Sequence, residues 1–107
     1  MTAALQALQN QYDLLTANLP KLLQACNGDA TKMDQINTQY AACSANYNNC
    51  INKIFNDNDA AVKALVTQMN QEQAAIKAKV AVINDIAGAI NTITTAVQIG
   101  ASLAAKV

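Results

Sequence analysis

Apolar residues recur at every third or fourth position through two long runs, Leu5, Leu8, Tyr12, Leu15, Leu19, Leu22, Cys26 and then Met33, Ile36, Tyr40, Cys43, Tyr47, Cys50, Ile54. That spacing is the seam of helices packed lengthwise, and it is incompatible with the two-residue alternation of a half-buried strand. A continuous seam states how the chain is built while naming no substrate, cofactor or reaction.

The first run defines one amphipathic helix over residues 2–26, with Asn27 and Gly28 supplying a left-handed stop just past its end. Pro20 lies inside the ladder, removes a backbone donor and disfavours helical geometry at Leu19. Because Leu19 and Leu22 keep the phase, a kink is expected there rather than a restart at Asn18. Asp29 or Thr31 can cap a second helix over residues 30–55. Asn56, Asp57, Asn58 and Asp59 then form a block of turn and cap formers that starts a third helix near Ala60, with a single helical rod through the block as the alternative.

From there Val62, Leu65, Val66, Met69, Ile76, Val80, Ile83, Ile86, Ile90, Ile93 and Val97 hold helical phase almost to the end. One helix over residues 60–106 would measure about 70 Å, against under about 40 Å for each of the first two. Its last twenty or so residues must overhang the bundle or fold back as a fourth helix after a break near Gly88. Unbroken phase through Gly88 favours the overhang, whereas Asn91 or Thr92 as a new cap favours folding back. The expected fold is thus all-α: an elongated antiparallel three-helix bundle with coiled-coil-like seams, the third helix long or broken into a fourth near Gly88. At 107 residues, with no Pro- or Gly/Ser-rich linker, residues 1–107 are expected to form a single helical domain.

Composition narrows the function classes. The seven basic and seven acidic residues cancel, and all seven bases are Lys. Without Arg there is no bidentate fork for phosphate or guanine, and without net charge there is no steering field, so no nucleic-acid partner is expected. His is absent, which removes the usual near-neutral acid/base and the commonest metal ligand. Asp57 and Asp59 read as caps, Ser44 and Ser102 have no base near them in sequence, and Gly28, Gly88 and Gly100 are isolated. No catalytic residue, cofactor or metal site is expected, and the chain reads as a non-enzyme.

Cys26, Cys43 and Cys50 sit on the ladders. On a simple hairpin they are too far apart to bridge, so they read as small core residues, with an intermolecular disulfide as the alternative. Unpaired thiols favour a reducing compartment, and no secretory leader is visible at the N-terminus. These point mildly to the cytoplasm, with leaderless export left open. Tyr12, Tyr40 and Tyr47 also hold ladder positions, where packing with the hydroxyl at the rim is expected.

The segment 86–105 carries no charge, and Gly88, Thr92, Ala96, Gly100 and Ala104 recur in it at every fourth position. Small residues at that interval make a groove into which another helix can press its backbone. The first expectation is a noncatalytic interaction or assembly module that buries this face against a copy of itself or another helical protein. The alternative is a membrane-active protein inserting the uncharged segment into a bilayer, a length that matches a hydrocarbon core, although Asn91, Thr92, Thr94, Thr95, Gln98 and Ser102 oppose it. In its long Ala/Asn/Gln-rich helices and one uncharged stretch, the chain resembles in style the components of helical pore-forming toxins. A third reading is a carrier for an apolar ligand between the helices.

Overall fold

The computed structural model describes residues 2–106, and its described residues hold four helices and no strand: α1 Ala3–Ala25, α2 Ala30–Asn48, α3 Ala60–Ala81 and α4 Ile86–Ala104. The fold is all-α, and the helices form an elongated bundle of 43 × 22 × 18 Å. Its helix count corrects the expected three. The chain does not overhang after Ala81; it turns at residues 82–85, just before Gly88, and folds back as a fourth helix.

All four starts follow from local chemistry. Asp29, Asp59 and Asp85 each place a carboxylate oxygen on a first-turn N–H, of Lys32, Val62 and Gly88 at 3.1, 3.0 and 3.0 Å. Thr2 does the same for Leu5 at 3.2 Å. Each cap satisfies one of the orphan donors at a helix start, an effect of about 1 kcal/mol. The break before α4 therefore lies three residues earlier than Gly88, and Asp85, not Asn91 or Thr92, is the cap. α1 ends where Asn27 and Gly28 take positive φ of 51° and 81°. It runs through Pro20 without restarting, and the Asn18 amide donates to Leu14 O at 2.8 Å rather than capping.

Each helix has two neighbours side by side: α1 packs on α2 and α3, and α4 packs on α3 and α2. Ala3 N donates to Asp57 Oδ2 at one end of the bundle and Lys21 Nζ to Val80 O at the other, so α1 and α3 run parallel. Asn46 meets Val97 and Lys53 meets Ala104, so α2 and α4 run parallel as well. The α1–α2 and α3–α4 pairs are thus antiparallel hairpins, and residues 49–59 cross the base diagonally to join them.

That crossover shortens α2. The helix stops at Asn48 instead of continuing to Phe55, and the ladder inverts beyond Cys50: Ile54 is 89% exposed, while Phe55 turns into the core. The strap also ties the ends of other helices. Asp57 holds the start of α1, and Lys53 Nζ donates to the last-turn carbonyl of Ala104 at 2.7 Å, where a cation complements the helix dipole.

The core falls into two apolar halves. Leu15, Leu22, Ile36, Cys43, Ile76, Val80, Ile90, Ile93 and Val97 fill the half near the two tight turns. Leu5, Leu8, Cys50, Phe55, Val62, Met69 and Leu103 fill the half above the crossover.

Candidate functional site: the amide layer that seats α4

Between the two apolar halves lies one polar layer with a residue from every helix. Gln11 stands between Leu8 and Leu15, Asn46 between Cys43 and Cys50, Gln73 between Met69 and Ile76, and Gly100 between Val97 and Leu103. Gln11 Nε2 donates to Ala96 O at 2.9 Å and Asn46 Nδ2 to Val97 O at 3.3 Å, both on α4. Gln73 Nε2 donates to Ala7 O on α1 at 3.1 Å. Three side-chain amides from three helices thus reach backbone carbonyls of a different helix, which is the class of contact that fixes register.

The small residues of α4 are what admit these amides. Ala96 is wholly buried under Gln11. A methyl group on Gly100 would stand 2.9 Å from Gln11 Oε1, 3.4 Å from Asn46 Nδ2 and 3.5 Å from Met69 Cε. Gly88 is wrapped by its own cap, Asp85, and Thr92 turns its hydroxyl onto Gly88 O at 3.1 Å. Ala104 presents its carbonyl to Lys53 Nζ at 2.7 Å and to Cys50 Sγ at 3.8 Å. The stripe Gly88, Thr92, Ala96, Gly100, Ala104 is therefore brought together on one flank of α4, and its deepest members, Ala96 and Gly100, are covered by α1, α2 and α3 of the same chain. The opposite flank, with Asn91, Thr95, Gln98, Ala101 and Ser102, is exposed, small and uncharged.

Gln11 Oε1 is left without a hydrogen-bond partner although Gln11 is 0% exposed. An unpaired buried acceptor costs about 1–3 kcal/mol, so the layer carries a stability penalty along with its register.

Neither Gln11 nor Gln73 was singled out by the apolar ladders, yet the signal is in the sequence. The buried positions Ala4, Leu8, Gln11, Leu15 and Met69, Gln73, Ile76, Val80 follow a four-three spacing in which each Gln occupies a core position. Reading only apolar residues skips both.

The thiols are free and buried, as their ladder positions suggested. Burial pushes the Cys43 thiol up to about 12 and raises Cys26 and Cys50 as well, which keeps them protonated and unreactive. The tyrosines pack on one another across α1 and α2, Tyr12 lying 5.8 Å from Tyr40 and 5.6 Å from Tyr47 between ring centres, near parallel in both pairs. Tyr40 hydrogen bonding raises the Tyr12 phenol above its ordinary value. Among the described residues no group of three or more Cys, Asp or Glu could hold a metal ion. A surface groove of about 420 Å³ between α1 and α3 is bounded by Asn10, Asp13, Leu14, Gln73 and Lys77, a mostly polar lining poorly suited to an apolar ligand.

Comparison with known proteins finds no matching family model, no similar curated protein and no similar solved structure. The class is therefore given by the fold alone, an all-α helical bundle with a buried amide layer.

Proposed function

We propose that this protein is a noncatalytic helical assembly module whose joint is the small-residue face of α4, marked by Gly88, Thr92, Ala96, Gly100 and Ala104. The observation that carries this reading is the way α4 is held. An uncharged helix sits in a groove of three others by close backbone approach and by amides from α1 and α2 on its carbonyls at Ala96 and Val97. Such a joint recognises shape and register, not charge, and its chemistry is the same whether the helix comes from its own chain or from another. Sedimentation equilibrium from micromolar to millimolar protein tests it. A reversible association weakened by Gly100→Leu at fixed concentration is expected. A chain that stays monomeric throughout, including after refolding at high concentration, refutes self-assembly.

One observation favours a second reading, entry into membranes: α4 is long and apolar enough to cross a bilayer by length and composition. Leaving the bundle would strip Ile90, Ile93, Val97 and Leu103 from the core, about 1.5–3 kcal/mol each and together comparable to the stability of a whole domain. Flotation with phosphatidylcholine and phosphatidylglycerol vesicles separates the two readings: binding with dye release supports insertion, and free protein at the bottom of the gradient removes it.

A further inference from the structure

We infer that α4 is exchanged between two copies of this chain: residues 82–85 straighten into helix, α3 and α4 become one rod, and α4 seats itself in the α2–α3 groove of the second copy. This rests on the assembly reading above and names its partner and its mechanism.

Three independent observations converge on it. The first is the turn itself. The α1–α2 connection has a built stop, with Asn27 and Gly28 at φ of 51° and 81°. The α3–α4 connection has none: Val82, Ile83, Asn84 and Asp85 include no Gly or Pro, and Val82 and Asp85 sit at φ of −132° and −141°, open to helix by rotation alone. Within the turn one backbone hydrogen bond closes, Asn84 N to Val82 O at 3.1 Å. The rest of the turn is held by the Asp85 cap on Gly88 and by Lys21 Nζ on Val80 O.

The second is phase. Ile76, Val80, Ile83, Ile86, Ile90, Ile93 and Val97 keep a three-four spacing straight across the turn, so the sequence supports one helix as readily as two. A rod over residues 60–104 would measure about 67 Å at 1.5 Å per residue. The bundle is 43 Å long, so the rod cannot close on its own chain and must present α4 to another.

The third is what the hinge leaves uncovered. Val82 is 70% exposed at the turn, and Ile83 and Ile86 beside it are only half-buried. Where two rods cross in the exchanged dimer these three residues meet their counterparts, adding apolar contact that the single chain lacks. The rod gives up the Asp85 cap on Gly88, but the contacts of α4 with the other helices are conserved on exchange. The Gln11–Ala96, Asn46–Val97 and Lys53–Ala104 bonds re-form in the same register, now between chains, which is why exchange of an existing element is a low-cost route to a dimer.

Isotope-filtered nuclear Overhauser spectroscopy on the unmodified chain tests this directly. Labelled and unlabelled protein are mixed, unfolded, refolded together at high concentration, and the dimer is isolated. Exchange requires that contacts to α4 such as Gln11 to Ala96 and Asn46 to Val97 pass the intermolecular filter, while α1–α2 contacts such as Tyr12 to Tyr40 do not. Asn84→Ala with Asp85→Ala, which removes the cap and raises helix propensity at the hinge, should favour the dimer about tenfold per hinge, or on the order of a hundredfold in the association constant. Asn84→Gly, which lowers helix propensity at the hinge and keeps the N–H that bonds Val82 O, should leave a folded monomer, checked by its circular dichroism melt. A dimer whose α4 contacts all stay within one chain overturns exchange but leaves the assembly reading standing. A chain monomeric under every condition overturns both. A chain monomeric in buffer that releases α4 on phosphatidylglycerol vesicles overturns exchange in favour of insertion.

Discussion

Replacing Gln11 by Met should make this protein more stable, not less. Gln11 is 0% exposed, its Nε2 donates to Ala96 O at 2.9 Å, and its Oε1 has no partner. Met has the same unbranched reach with no polar atom, so the cavity stays filled. Losing the amide hydrogen bond costs about 1 kcal/mol net, and removing the unpaired oxygen returns about 1–3 kcal/mol. Ala96 O is not orphaned, because it lies inside α4 and keeps the backbone partner of any helical carbonyl. The balance favours Met by about 1 kcal/mol, or about 4 °C in Tm for a chain of this size. Urea unfolding followed by circular dichroism measures it, with an unchanged slope showing that the unfolded state is not the cause. Gln11→Ala is the control and should lose about 2–3 kcal/mol through the cavity it opens. The gain with Met should come with looser register, read as poorer amide dispersion in the nuclear magnetic resonance spectrum. If Gln11→Met is destabilising by about 1 kcal/mol or more, the Oε1 must be paired in the folded chain and the argument fails.

Gly100→Ala should fall within about 1 kcal/mol of the native chain, because helix propensity gained offsets the retreat of Gln11 Oε1 from a methyl 2.9 Å away; Gly100→Leu should cost about 3 kcal/mol, and equal stability in urea would show that α4 is not closely seated. Because the buried Cys43 thiol is raised from 9.0 to about 12, its contribution is complete below pH 9 and is lost as pH rises toward 12, where the unfolded chain has already ionised. Stability should therefore fall with pH above 9, less steeply in Cys43→Val, and a flat profile would contradict the burial of that thiol.

Much of the fold is local and could be read from the sequence. The Asn27–Gly28 stop, the Asp29 cap and the start of α3 after the Asn/Asp block depend on neighbours in the chain, and each lies where residue chemistry puts it. The two errors share a cause. Ile54 continues a helical ladder on paper but is turned out to solvent because the strap must cross the base to reach α3, and topology outweighs phase. The turn at residues 82–85 replaces a helix that the apolar spacing supports, because folding back gives the inward flank of α4 a groove to fill. The small-residue stripe of the candidate site was equally visible, but what fills it was not. Gln11 and Gln73 look like surface residues until each is counted as the missing member of a four-three seam.

The diagonal strap also governs when the halves of the molecule meet. α1 with α2, and α3 with α4, join through short turns and can pair in microseconds, whereas the faces between the two hairpins close only once residues 49–59 have been drawn across. A ribosome emits roughly 5–20 residues per second, so the first hairpin waits for seconds with its seam bare. During that interval the inner face of the first hairpin stays open to water, and it is covered only once α3 and α4 have emerged and the strap has swung them into place.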